Sequence, residues 1–558
     1  MPRPRPARRS GGIQRDVWLG FTLAAIALYA LFLIYPLVTL LSKSVVDPAT
    51  GGLSLSYFTK FFSRKMYYTA LLNSLLVTSG VTLLCVLLAT PLAYIMATVR
   101  IRFKPALEIL ILISSMSAPF IGAYSWIMLF GRSGAVTVWL RDLVGITIPD
   151  IYGLPGILLV LSMQLYSLVY MYLAGAFKSM DNSLIEAAES LGCTGLAKMR
   201  RIVLPLLLPT LLAGALMVFM RAFADFGTPQ LIGEGFRTVP VLVYTQFMGE
   251  VGTDDGFAAA ISIVIVVVTT AAFLVQKLYA TRKQFTMSAL HPIQPKAARG
   301  AKNVLAHLYC YVLVGIAMLP QFYVLYTSFQ KTNGKIFVPG YSLQSYADAF
   351  RQLGKSIWNT YWLALVAIAV IVVLGILISY VVVRRRSVLA SSLDITSMFP
   401  QTVAGAIIGI ALLVSFNHRP LLLSGTAFIM ILSFVIRRLP YTVRASAATL
   451  QQMSISVEEA AISLGASTMK TFFRVTVPMM LPGVLAGAII SWIMIITELA
   501  TSIILYTGNT QTMTLAIYSQ ITRGNYGIAA ALSSILTLTT VLSLVLFFRL
   551  TGKRELTL

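Results

Sequence analysis

Glu186-Ala187-Ala188-Glu189-Ser190-Leu191-Gly192 lies in a polar gap between long apolar runs, and the chain returns to it as Glu459-Ala460-Ala461-Ile462-Ser463-Leu464-Gly465. Position 459 is 273 beyond 186, and the same offset carries Pro205 to Pro478, Pro209 to Pro482, Gly214 to Gly487 and Asp225 to Glu498. One spacing shared by such unlike residue types marks a duplication, so the chain holds two halves, each with one polar handle. Weaker echoes extend the repeat. Asn73 to Arg100 resembles Asn359 to Arg386, with Tyr94 answering to Tyr380, and Val243-Tyr244-Thr245-Gln246 resembles Ile517-Tyr518-Ser519-Gln520.

With 58% hydrophobic and 11% charged residues and a mean hydropathy of +0.83, 558 residues offer too little polar surface to cover a soluble globule. The expected fold is an all-α polytopic membrane protein. About twelve spans are read at 17–41, 70–98, 105–130, 155–177, 203–224, 257–279, 303–329, 360–383, 389–414, 421–436, 476–505 and 527–548. Six spans separate the two copies, and six is even, so both six-helix halves enter the membrane from the same side. Parallel repeats imply a pseudo-two-fold axis along the membrane normal and a path between the halves.

With a cytoplasmic N-terminus, the inner segments 1–16, 99–104, 178–202, 280–302, 384–388, 437–475 and 549–558, with flanking positions, hold 29 of the 43 basic residues against 14 elsewhere. The positive-inside rule therefore places both termini in the cytoplasm. Topology and anionic lipid account for the net charge of +24 without nucleic acid. The organisation read from this is a basic tail at 1–16, retained because the following apolar run is too long for a signal-peptide core; a first half at 17–280 with a loop at 183–201; a cytoplasmic linker at 281–302 containing Pro292, Pro295 and Gly300; a second half at 303–549 with a loop at 456–474; and a tail at 550–558.

Cys85, Cys193 and Cys310 fall in spans or on the inner side, which argues against a disulfide framework, and His291, His307 and His418 are too scattered to make a stable metal site. Ala349-Phe350-Arg351-Gln352-Leu353-Gly354-Lys355-Ser356 loosely resembles a phosphate-binding loop, but its first glycine is missing, no strand precedes it, and topology puts it outside; it is read as a chance match. No hydrolase constellation is evident, so the chain is expected to be no enzyme and to hold no cofactor.

Ser183-Leu184-Ile185-Glu186 and Ser456-Val457-Glu458-Glu459 both fit a capping box, so each handle should begin a short cytoplasmic helix. Ala187 and Ala188, like Ala460 and Ala461, would give that helix a thin face for close approach, and Gly192 and Gly465 would permit a tight turn after it. Leu204-Pro205 and Val477-Pro478 suit the first turn of the next span.

The pattern Glu-Ala-Ala, three residues, Gly, nine residues, Ile202, one residue, Leu204-Pro205 resembles the signature loop of ABC importer permeases, and the second copy keeps it with Val475 and Val477. The resemblance implies that each loop is a coupling helix docking on a cytoplasmic ATPase, with Glu186, Ala187, Ala188, Gly192, Glu459, Ala460, Ala461 and Gly465 as the coupling residues. It further implies two ABC ATPase subunits that hold ATP and Mg, a periplasmic or extracellular substrate-binding protein, and a place in the bacterial cytoplasmic membrane. A fused pair of about this length resembles ferric iron importer permeases in particular, on architecture and on Asp225-Phe226-Gly227-Thr228-Pro229 and Glu498-Leu499-Ala500-Thr501-Ser502. Ferric iron import by alternating access is the leading expectation. Phosphonate, sugar phosphate, thiamine or polyamine are its alternatives, and an ion-gradient-driven secondary transporter is the rival from another class.

Asp225 and Glu498 sit at equivalent positions late in their spans, where a charge near mid-bilayer costs ~2.5–3.5 kcal/mol unless it faces a partner or water. A hard cation favours carboxylate oxygen, so the two could form a transient acidic ring on the path. Alternatively Arg221, four residues before Asp225, neutralises it along the helix. Glu498 has Met494 in that place and is expected to lack such a partner. Tyr244, Gln246, Tyr518 and Gln520 are candidates for an outer vestibule or for interfacial anchors.

Overall fold

A backbone that crosses lipid must satisfy its own hydrogen bonds, and the long apolar runs accordingly form helices. The computed structural model describes residues 17–46, 51–116, 119–193, 195–248, 255–282, 291, 293–334, 336–385, 387–401 and 403–551. Among these, nine helices are long and apolar enough to cross a membrane: Val17–Val45, Lys65–Thr98, Leu154–Ser179, Met199–Phe223, Gly256–Val275, Ala301–Ser328, Gln344–Arg384, Thr468–Ile496 and Tyr526–Leu550. The tails 1–16 and 552–558 and the linker stretch 283–290 lie outside the described residues, as does Pro292.

The expected spans 105–130 and 389–414 are not straight. Lys104–Met116 meets Phe120–Val144 at 100°, and Val388–Gln401 meets Gly405–Ser415 at 108°. Pro119 opens the second piece of the first pair, and Pro400 sits in the tight turn Phe399–Gln401 of the other, where a missing N–H and a fixed φ favour a break.

The span read at 421–436 needs a larger correction. The helix there is Ala427–Gln452, which is Leu154–Ser179 displaced by the repeat offset of 273. Arg437 and Arg438 lower its hydropathy, yet they lie inside the bundle with side chains only 14% and 12% exposed, not in an inner loop. Counted through the repeat, this helix completes the second half, and the inner excess of basic residues survives the loss of these two and of Arg444 on the same helix.

Small residues set the helix crossings. Gly214 packs where an added Cβ would meet Val169 Cα at 3.3 Å, and Gly487 where it would meet Thr442 Cα at 2.5 Å; 169 and 442 are again one offset apart. The weak echo near Asn73 is structural as well. Asn73 Nδ2 donates to the Arg237 carbonyl at 3.1 Å while Ser74 Oγ accepts from the Val239 N–H at 2.8 Å. In the second half Asn359 Nδ2 donates to the Gln511 carbonyl at 3.1 Å, and Thr360 Oγ1 accepts from the Met513 N–H at 2.6 Å. An asparagine followed by a hydroxyl residue thus ties down Val239–Met248 in one half and Met513–Arg523 in the other.

The leading helix of each half packs on the opposite half. The Trp18 ring lies 4.4 Å from Tyr380 and 4.8 Å from Phe472, and Phe32 lies 5.7 Å from Phe416. Reciprocally, Tyr309 donates to the Leu88 carbonyl at 2.8 Å and Tyr311 to the Arg102 carbonyl at 2.6 Å. The linker is held too: the Lys296 N–H donates to the Thr98 carbonyl at 2.9 Å, and its own carbonyl accepts from the Arg100 N–H at 3.0 Å. The stretch 349–356 lies inside the helix Gln344–Arg384, a backbone that cannot cradle a phosphate as a loop does.

Candidate functional site

Each handle is a nine-residue helix, Asn182–Ser190 and Ile455–Ser463, entered directly from the preceding span through two extended residues, Met180 and Asp181 or Met453 and Ser454. That abrupt entry moves the cap two residues earlier than the capping boxes at Ser183 and Ser456 predict. The Asp181 side chain accepts from the Ser183 N–H at 3.0 Å, and Ser454 Oγ accepts from the Ser456 N–H at 3.3 Å. Glu186 is then free to accept from Asn182 Nδ2 at 2.6 Å. The tight turns expected at Gly192 and Gly465 are left-handed, with φ of +78° and +88°.

The two alanines of each pair differ in role. Ala187 and Ala460 are exposed, whereas Ala188 is buried against its own half and Ala461 is half-buried. Apolar groups at equivalent places stand in solvent contact: Leu191 and Leu464 are 87% and 89% exposed, with Leu184 and Val457 at 48% and 37%. The handles are anchored differently. In the first, Ile185 is buried; in the second, the equivalent Glu458 pairs with Arg384 Nε at 3.0 Å, both side chains nearly enclosed. Lys198 Nζ lies 2.5 Å from Glu189 Oε1, and that hydrogen bond, with the lysine charge, holds the Glu189 carboxyl below its ordinary range.

Asp225 and Glu498 come together across the halves. Both line one cavity of about 720 Å³, walled by the Leu154–Ser179 and Ala427–Gln452 helices and by the ends of the spans that leave the handles. Asp225 lies 21 residues beyond Leu204, roughly 30 Å along the helix and the turn that follows it. The acidic ring is nevertheless corrected. Glu498 Oε1 lies 2.5 Å from Arg437 Nη1, and its other oxygen pairs with Arg438, so the carboxylate expected to lack a partner is claimed by two guanidinium groups. The expected Arg221–Asp225 pair is also absent. Asp225 accepts the Thr228 N–H at 3.0 Å, and Arg221 donates instead to the Tyr441 hydroxyl at 3.4 Å, a contact between the halves.

The remaining candidates lie off this cavity's wall. Tyr244 packs at a tilt against Phe226, ring centroids 4.8 Å apart; Gln520 is buried and accepts from Asn525 Nδ2 at 2.7 Å; Tyr518 and Gln246 are half-buried. What sequence reading missed is the set Arg437, Arg438, Tyr441, Arg444 and Asp394, all on the wall. The repeat offset held the signal, because it sets Arg437 and Arg438 opposite Gln164 and Leu165 in mid-helix.

Two halves of one helical plan, a cavity between them that carries seven charged side chains, and a handle on each define a permease subunit. The chain belongs to the family of binding-protein-dependent transport system inner membrane components, which it matches over residues 89–284 and 371–554. It is similar to the ferric transport system permease protein FbpB of Actinobacillus pleuropneumoniae, at 27% identity over 549 residues, covering 95% of this chain and 77% of that protein. It is also similar to the Fe(3+)-transport system permease protein FbpB 2 of Haemophilus influenzae, at 22% identity over 477 residues, 84% of this chain and 87% of that protein. The molybdenum transport system permease protein ModB of Mycobacterium tuberculosis is 32% identical over 212 residues, 37% of this chain and 77% of ModB.

Proposed function

We propose that this chain is the membrane path of an ATP-driven, binding-protein-dependent importer of ferric iron. The observation that carries the reading is the duplicated handle in a single chain that aligns over 95% of its length with a ferric permease. The molybdenum permease covers 37% of the chain, which favours the ferric assignment over molybdenum. Two cytoplasmic ATPase subunits, which hold the ATP and Mg, dock on loops 183–201 and 456–474; the contacts are the exposed Leu184, Leu191, Val457 and Leu464 and the motif residues Glu186, Ala187, Gly192, Glu459, Ala460, Ala461 and Gly465, while buried Ala188 seats the first handle. Both termini and the linker lie on that cytoplasmic side, and a binding protein delivers cargo to the opposite face.

Closure of the ATPases on ATP pushes the two handles together, and the small-residue crossings at Gly214 and Gly487 pass the movement to the helices that wall the cavity. The test is to load the cognate binding protein and measure ATP hydrolysis by the assembled complex. Iron-loaded binding protein should stimulate hydrolysis, and Glu186→Lys with Glu459→Lys should abolish the stimulation while the chain still inserts. Stimulation by an unrelated cargo alone, or full stimulation in the charge-reversed variant, would overturn the reading.

A further inference from the structure

We propose that the central cavity holds an oxyanion, bound by Arg221 of the first half together with Tyr441 and the arginines 437, 438 and 444 of the second. Four arginines and three carboxylates, Asp225, Asp394 and Glu498, line this one space. Glu498 is engaged by Arg437 and Arg438, while Arg221 donates to Tyr441 and Arg444 to the Met398 sulfur, so no ion pair neutralises either of these two arginines among the described residues. With four guanidinium groups against three carboxylates the wall is net positive, a field that repels a bare trivalent cation and attracts an anion.

Donors also outnumber acceptors. Each guanidinium carries five N–H groups, and Arg221 uses one of them on Tyr441 at 3.4 Å, a long bond readily exchanged for a charged acceptor. The Arg438 Nε–H is buried without an acceptor among the described residues. Planar guanidinium forks beside a phenol are the groups that recognise tetrahedral or carboxylate oxyanions. At neutral pH ferric ion exists only hydrolysed or ligated by oxygen anions. The oxyanion can therefore enter as the ligand of the metal or by itself, and the chemistry of the site is the same for both sources. The second source goes beyond the ferric reading, and only the first rests on it.

The test uses the full chain with its ATPase subunits in nanodiscs and follows radiolabelled inorganic phosphate, first alone and then with equimolar ferric ion. The wild type should retain phosphate above empty nanodiscs, and Arg221→Gln and Arg444→Gln should each weaken retention about tenfold. Arg221→Lys should recover part of the loss. Asp225→Asn, which removes a like charge from the same wall, should strengthen retention, so a variant that merely misfolds cannot mimic the expected pattern. Retention without iron identifies a free oxyanion, and retention only with iron identifies the metal's own ligand; both support the site. Phosphate retention equal in wild type, Arg221→Gln and Arg444→Gln, or no retention with or without iron, overturns it. Loss of iron-stimulated ATP hydrolysis with phosphate retention intact would sink the ferric reading and leave this site standing.

Discussion

Replacing Glu458 by glutamine should loosen the second handle and leave the first untouched. The Glu458 carboxylate lies 3.0 Å from Arg384 Nε, with the two side chains 12% and 8% exposed, and Arg384 also donates to the Met453 carbonyl at 3.2 Å, next to the cap of the handle helix. Removing one charge of a nearly enclosed pair strands the other and costs about 3 kcal/mol, the low end for buried pairs because some water still reaches this one. Local opening of the handle should then become roughly 100-fold easier. Hydrogen exchange on peptides covering 454–465 in the assembled complex measures this directly. Peptides covering 181–192 serve as the internal control, because buried Ile185 occupies the equivalent place there and contributes apolar contact without charge. The double variant Glu458→Ile, Arg384→Leu should regain most of the lost protection by adopting the apolar solution of the first half. Exchange in 454–465 changed by less than about threefold in Glu458→Gln, or equal loss in both handles, would refute the anchoring role.

Other outcomes follow from the same geometry. Gly487→Ala places a Cβ 2.5 Å from Thr442 Cα and should destabilise by about 1–3 kcal/mol, whereas Gly214→Ala, with 3.3 Å available, should cost less; thermal unfolding midpoints of the two variants decide the order. Glu498→Gln leaves Arg437 and Arg438 together without their carboxylate and should cost about 3–5 kcal/mol, while Asp225→Asn keeps an acceptor for the Thr228 N–H and should cost under about 1 kcal/mol in the same assay. Glu189 has its folded-state pKa depressed by Lys198, so its support of the first handle is present above the unfolded value near ~4.3 and is lost as pH falls through the lower folded one. The difference in unfolding midpoint between wild type and Glu189→Gln should accordingly be constant from pH 7 to 6 and vanish at the acid end.

Much of the fold was legible because the offset of 273 residues ties unlike residues to one another: prolines, glycines, the handle and the late carboxylates all recur at one distance. Hydropathy alone failed where function puts charge in the membrane. Arg437 and Arg438 made half of Ala427–Gln452 look like a loop, and only its equivalence with Leu154–Ser179 shows it to be a span. The partners of Glu498 were missed for a related reason. A search along its own helix finds Met494, but the neutralising charges come from a different helix, and one-dimensional spacing carries no information about that contact. The caps were misplaced by two residues because Asp181 and Ser454 can cap only if the preceding span stops one residue earlier, at Met180 and Met453, and sequence alone did not fix that stop.

Uptake of radiolabelled ferric iron into proteoliposomes tests the central claim most directly, with the chain reconstituted alone, with its ATPase subunits, and with both the ATPases and an iron-loaded binding protein. Accumulation should require all three components and ATP inside the cytoplasmic-side compartment, and should fall to background when Glu186 and Glu459 are both replaced by lysine. Iron accumulation by the chain alone under an imposed proton or sodium gradient, at a rate matching the complete system, would contradict the account.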